Sequence, residues 1–265
     1  MKLLIPMMPL VLISGRVHAQ PTAETHSEAA SQLVNLEATQ VMERGASGGR
    51  IDVRAFGGRE ALAYTSVGAR IGVGSGWEGV IRGSFADRKT LALASGATIR
   101  HGGSDVEVVA KRSSAATHSR SISVAGLAGL SFPATPAQKG SIFTLGAVAG
   151  LAGGKGEAYA NPRAALLSGN TIVGIGVGGG LNVGNGVSLV ADYTPILAGK
   201  NTRDTQTGAR TRRDVYGVAV RFDFRGHDTH MDLGFTNGTG STTGFSLTPG
   251  LGGSGAFFFA ISARR

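Results

Sequence analysis

The chain contains no cysteine. That rules out a disulfide framework, a thiolate nucleophile and thiolate metal ligation. Aromatic residues are scarce, with one tryptophan, four tyrosines and eleven phenylalanines in 265 residues. Charged residues make up only 16% of the chain. Beyond the N-terminus no apolar run approaches the roughly 20 residues of a spanning helix, so a helical membrane protein is excluded. If the chain crosses a membrane, it does so as a closed barrel, the other structure that satisfies its own backbone hydrogen bonds in lipid.

Residues 1–19 have the layout of an export signal. Lys2 supplies a positive start, Leu3 to Ile13 an apolar core, and Val17-His18-Ala19 a small-x-small cleavage site. The apolar core is too short for an anchor. Cleavage after Ala19 would begin the mature chain at Gln20, and an exported protein without disulfides must close its fold by other means. Residues 20–49 are expected to form a periplasmic leader, polar and alanine-rich at first, with Glu24, Glu28 and Gln32 at helical spacing. Residues 50–265 are expected to form the barrel.

From Arg50 onward the hydrophobic pattern has period two. The alternating segments are 50–56, 67–73, 79–85, 91–99, 106–111 and 122–132 in the first half. In the second half they are 143–151, 171–181, 187–193, 216–224, 230–236 and 255–262. Turn signals such as Gly102-Gly103-Ser104 and Gly184-Asn185-Gly186 separate them. Strands of about 9–11 residues, apolar on one face and small or polar on the other, fit a transmembrane barrel. A soluble sandwich would carry more lysine and glutamate on its polar face. The expected fold is therefore all-β, an antiparallel transmembrane β-barrel of about 10–12 strands.

The polar face would place Arg54, Arg82, Arg100, Lys111, Asp192, Arg221 and Asp223 in the lumen, as cross-barrel ion pairs or as the field of a narrow pore. The longest connection, Leu197 to Asp214, is rich in arginine and is expected on the outer side. The net charge is +9, and it falls by two when Lys2 and Arg16 leave with the signal. In an exported chain this excess suits lipopolysaccharide phosphates or anionic solutes rather than nucleic acid.

Three chemical readings fail on their own residues. Gly174 to Gly186 is glycine-rich, yet no lysine-serine pair and no helix follow, as a phosphate loop requires. Gly154-Lys155 is followed by Gly156, where a serine or threonine would have to bind magnesium. No Gly-x-Ser-x-Gly elbow occurs. The densest polar cluster, Asp228, His230 and Asp232, would lie along one strand face, whereas tetrahedral metal sites usually draw on separate elements. Nothing marks an enzyme, a metal or a cofactor. The expected partners are outer-membrane lipids, lipopolysaccharide and the barrel-assembly machinery, with the chain acting as a monomer.

The opening Asn35-Leu36-Glu37-Ala38-Thr39-Gln40-Val41-Met42-Glu43-Arg44-Gly45 resembles the start of an uncharacterised family of bacterial outer-membrane β-barrel proteins. The late strand end Phe235-Thr236-Asn237-Gly238-Thr239-Gly240 and the segment Asp192-Tyr193-Thr194-Pro195 are similar to that family's strand ends. Glu37 stands where the family has proline, and the final strand ends Ser262-Ala263-Arg264-Arg265 rather than on an aromatic residue. The resemblance implies an outer-membrane barrel and is silent on activity. A structural or narrow passive-pore role is the function expected, with a secreted β-sandwich binding module or a barrel enzyme acting on envelope lipid as alternatives. Whether the lumen is open or blocked by the leader is left to the structure.

Overall fold

A computed structural model of the chain describes residues 32–58, 60–93, 95–114, 122–134, 141–167, 169–224 and 228–265. The signal segment at 1–19 and the first part of the leader lie outside the described residues.

Twelve antiparallel strands close into a barrel. In chain order they are β1 (Ser47–Phe56), β2 (Leu62–Gly74), β3 (Trp77–Ala92), β4 (Thr98–Ser113), β5 (Ile122–Ala134) and β6 (Ile142–Gly153). They continue as β7 (Gly156–Leu166), β8 (Ile172–Gly184), β9 (Val187–Thr194), β10 (Val215–Phe224), β11 (Thr229–Thr236) and β12 (Ala256–Arg264). Each strand pairs with the next, and β12 pairs back to β1, with Ala256 opposite Phe56 and Arg264 opposite Gly48. Closure leaves no row of unpaired backbone groups.

The two ends differ. Where β1 begins and β12 ends, the connections at 75–76, 154–155 and 185–186 are two residues long. Ser75 and Asn185 take φ of 54°, each followed by a glycine at positive φ, as the tight primed hairpin turn requires. The opposite end carries the long loops 195–214 and 237–255. We call these the turn end and the loop end.

Every strand places an apolar side chain on the outer surface: Ile51, Val67, Ile81, Val108, Val124, Leu145, Leu166, Val177, Leu189, Val218, Leu233 and Ile261 in order from β1 to β12. A continuous outer band of this kind would be an aggregation hazard in water and is the expected surface in lipid. Most of the few aromatics are spent on the same surface. Phe85, Phe132, Phe143, Tyr193, Tyr216, Phe235 and Phe257 are exposed and lie toward the loop end. Tyr216 stacks on Phe235, which meets Phe257 edge-on. This is the arrangement of an interfacial aromatic girdle. At the turn end Trp77 is outside, with the Arg112 guanidinium 5.4 Å from its ring centre.

Three details depart from the sequence reading. Residues 91–99 are not one strand: Leu91 pairs with Ile99 across the β3–β4 hairpin, so their common hydrophobicity reflects cross-strand packing. Gly102-Gly103 is not a turn: it lies within β4 opposite a bulge in β3, where Asp87 and Arg88 stand against the single Gly102 and the register shifts. Both glycines have positive φ, which serves a bulge as well as a turn. β7 carries no strong alternation because its outer face is Ala158, Ala160, Pro162 and Ala164, so small residues hide the strand.

Val67→Arg, near the middle of β2, is expected to cost about 2–4 kcal/mol of folding stability in lipid vesicles, against about 0–1 kcal/mol for Val73→Arg at the turn end. Urea titration of the refolded variants in vesicles measures both. Equal costs at the two depths would overturn a membrane-embedded band.

Candidate functional site: a lumen filled from both ends

The expected leader enters the barrel. From Ser47 the chain runs back into the lumen, reverses, and returns toward the turn end by Gln32. Leu33 N–H donates to the Leu36 carbonyl at 2.8 Å, and Gln32 bridges to Glu37, so residues 32–37 form a tight hairpin with its tip at Val34-Asn35. Leu33, Val34, Asn35, Leu36 and Ala38 are each 1% exposed or less. The helical spacing at Glu24 and Glu28 lies outside the described residues, while from Gln32 to Ala38 the described part of the 20–49 segment is thus a plug in the lumen. The physical reason is its alternation of apolar and hydrogen-bonding groups, which matches a lumen offering both.

The apolar half of that match is a groove of glycine. On β8 the inward positions are Ile172, Gly174, Gly176, Gly178 and Gly180. A Cβ at Gly176 would sit 2.2 Å from Leu36 Cδ2, and one at Gly178 would sit 2.9 Å from Leu33 Cδ1. On β10, a Cβ at Gly217 would lie 2.6 Å from Val34 Cγ1. Two of the glycines that suggest a phosphate loop in isolation, together with Gly217, are the seats of three plug side chains.

The polar half centres on Asn35. Its backbone N–H and side-chain amide donate to the two Asp192 carboxylate oxygens at 2.6 and 2.9 Å. Its amide also donates to Thr236 Oγ1 at 3.0 Å. Its side-chain oxygen accepts from Arg54 at 2.8 Å, and its backbone carbonyl accepts from Arg163 at 2.7 Å. Arg54 is fully buried and also binds Asp52 at 3.0 Å and the Gly238 carbonyl at 3.0 Å. Glu37 pairs with Arg82 and lies 3.8 Å from Lys111, whose ammonium donates to the Gln40 carbonyl at 2.7 Å.

The loop end contributes a second insertion. Loop 237–255 folds inward, and Asn237 to Thr243 are buried. A single helical turn, α1 (Thr243–Ser246), is capped by Thr242. Ser241 N–H reaches Ser84 at 3.1 Å, Thr242 donates to Asp105 at 2.8 Å, and Thr243 N–H donates to Glu107 at 2.8 Å. Three arginines hold both insertions at once. Arg54 joins Asn35 to Gly238, Arg163 joins Asn35 to Ser246 at 2.8 Å, and Arg82 joins Glu37 to Thr243 at 3.0 Å. Only Arg, with its planar fork of donors, bridges two such partners without losing either.

The residues expected in the lumen divide. Arg54, Arg82, Lys111, Asp192 and Arg221 are buried inside. Arg221 forks onto Asp232 at 2.7 and 3.0 Å and donates to the Gln32 carbonyl at 3.0 Å. Asp223 follows on the same face of β10, half-buried at the turn end. Arg100 is corrected: it is exposed, on the opposite parity of β4 from Asp105, Glu107 and Lys111, beyond the bulge that carries the hairpin past the barrel rim. In the polar cluster, His230 and Asp232 are buried and Asp228 is exposed. Asp232 is committed to Arg221 and, at 3.2 Å, to Arg50. Among the described residues no group of three candidate ligands converges as a metal site would require. The sequence reading gave no role to Arg163 or Asp105, and met Asn35 and the start of the inserted loop only within stretches that resemble other barrels. The roles of Asn35 and Arg163 come from partners on other strands and insertions, most of them far away in the chain, as with Asp192 and Thr236 for Asn35.

Above the inserted loop lies a cavity of about 510 Å³. The short hairpin Thr202–Arg203 with Arg210–Thr211 arches over it. A Cβ at Gly208 would lie 2.7 Å from Leu93 Cδ1 of the β3–β4 hairpin, so the arch rests on that hairpin. Asn201 fastens the arch to the inserted loop through the Leu247 carbonyl at 2.8 Å, and Thr202 does so through the Gly250 carbonyl at 3.0 Å. Glu60, in the connection after β1, lines the same cavity. Burial raises its carboxyl above the usual range, against hydrogen bonds from Ser254 and the Leu251 N–H.

The barrel is similar to the solved KdgM porin, with 5% sequence identity, a TM-score of 0.52, and coverage of 82% of this chain and 98% of that one. It is likewise similar to the NanC porin, with 9% identity, a TM-score of 0.53 and the same coverage. Identities this low establish a shared fold. No protein-family model matches the chain, and neither does any curated protein.

A cysteine-free chain allows a clean probe of the plug. Ala38→Cys, buried in the lumen, should react slowly with a small maleimide. Adding Gly176→Leu, which fills the seat of Leu36, should speed labelling by about tenfold, equivalent to ~1.4 kcal/mol of plug displacement. Unchanged labelling would show that the glycine groove does not hold the plug.

Proposed function

We propose that this chain is an outer-membrane β-barrel whose role is structural or that of a narrow passive pore, resting in a closed state. The observation that carries this is the pairing of a complete outer apolar band with a polar, charged lumen filled by segments that are not part of the wall. The similarity to porins agrees with the architecture. A purely structural barrel needs no removable filling. Here the plug is held by side-chain bonds and seated in a glycine groove, and the loop is held by side-chain bonds, so either can leave with the wall intact. Both limbs of the plug point to the turn end, and it can withdraw without threading the barrel.

In this reading the turn end faces the periplasm and the long loops face outward. The outer band meets membrane lipid. Exposed arginine and lysine at the loop end, including Arg88 and Lys89 at the tip of β3, lie at the level of lipopolysaccharide phosphates. The outward-facing Phe257, Phe259 and Ile261 of β12 are the groups offered to the assembly machinery, in place of a terminal aromatic.

Two measurements test the proposal. The expressed chain should fractionate with outer membranes and migrate faster in gels unless boiled; recovery as a soluble periplasmic protein would overturn it. In planar bilayers the full chain should stay near baseline. A variant lacking residues 32–44 should show discrete openings, and one also lacking 239–246 should show larger ones. Baseline current in all three would leave the structural role and remove the pore.

A further inference from the structure

We propose that the roofed cavity at the loop end is a binding site for a small organic anion with a ring-shaped or apolar body. The inference goes beyond the pore reading and does not rest on it, since the cavity lies above the closed lumen. Three features carry the proposal.

The first is enclosure. The floor is the inserted loop, with Phe245 and Thr239, and the roof is the arch over 202–211. The arch is fastened at Asn201 and Thr202 and rests on Leu93, so the walls are held by bonds rather than left to a loose loop. At about 510 Å³ the space falls within the roughly 300–1,000 Å³ of small-molecule sites.

The second is charge. Arg100, Lys200 and Arg210 line the cavity from three separate elements: β4, the start of the arch and its return limb. None of the three has a carboxylate partner among the described residues. This contrasts with the lumen below, where Arg54, Arg82 and Arg221 are each matched to an acid. The cavity's two acids are weak competitors. Asp105 is occupied by Ser131 and Thr242, and Glu60 by Ser254 and the Leu251 N–H. The site therefore presents three exposed, unmatched positive charges around one recess, whose summed field attracts an anion.

The third is the apolar wall. Tyr64, Phe245 and Leu167 face the same space. Tyr64 and Phe245 pack edge to face at 5.9 Å, giving a rigid aromatic corner. An inorganic ion would leave that corner unused. A ring or compact carbon body carrying two or more acidic groups would use the corner and the cations together.

The test uses the full chain folded in detergent and benzene-1,3,5-tricarboxylate as the probe, followed by calorimetric titration. Saturable binding is expected, weakened by salt, and absent for the neutral benzene-1,3,5-trimethanol. The Arg100→Gln/Lys200→Gln/Arg210→Gln triple variant should bind about tenfold more weakly, since each exposed charge contributes modestly and the three act together. Arg212→Gln, outside the cavity, should bind as the parent does. If the triple variant loses its heat-modifiable band, Lys200→Gln alone should still lower affinity about threefold. No saturable heat, equal binding by the neutral analogue, or equal binding by the cavity variants and Arg212→Gln would each overturn the site. None of these outcomes depends on whether the barrel conducts.

Discussion

Asn35 is the residue through which the two insertions and the wall are tied together. It contacts Asp192 from β9, Thr236 from β11, Arg54 from β1 and Arg163 from β7. A twelve-stranded barrel of small inward residues encloses more space than its own side chains fill. That space must hold water or chain. Here it holds chain, and an inserted segment is favoured only if its backbone groups find partners away from water. Asn35 meets that condition by using its backbone N–H, its carbonyl and both ends of its amide. The arginines that surround it are satisfied in turn by the inserted loop.

Two kinds of lumen follow from this one constraint. Around the plug, cations and anions are matched, and the apolar knobs sit in glycine seats. This interior specifies a position rather than a ligand. A buried charge network is a poor source of net stability but discriminates strongly against misplacement, because a lost partner leaves a charge unpaired. Above the inserted loop the matching stops, and Arg100, Lys200 and Arg210 stand without carboxylate partners around the cavity. The inserted loop forms the boundary, with one side fixed into the network and the other the floor of the cavity.

The sequence pattern yields the barrel and its strand number, though part of that agreement is a cancellation. Residues 91–99 alternate like a strand and are in fact a hairpin, while Gly156–Leu166 is a strand whose outer face is alanine and proline. Period-two reading detects contrast between faces, and small residues remove the contrast. The lumen charges were legible wherever an isolated charge interrupted an apolar run, as at Arg54, Arg82, Lys111 and Arg221. Arg100 failed because Ile99, read as part of an outward apolar face, is buried, so its neighbour Arg100 is the exposed one. The three stretches that resemble outer-membrane barrel sequences, beginning at Asn35, Asp192 and Phe235, meet at the plug tip through Asn35, Asp192 and Thr236. Nothing in the linear chain announces that meeting.

By itself the sequence determined the class of structure. No apolar run beyond the N-terminal segment is long enough for a spanning helix, no cysteine braces the chain, and the alternation of apolar and small residues leaves a closed barrel as the way to satisfy its backbone. Tertiary structure alone decided what fills that barrel. The polar hairpin at 32–37, the glycines of β8 and the loop after β11 are each unremarkable in isolation. Their fit depends on distances between residues far apart in the chain, and those distances exist only once the wall has closed.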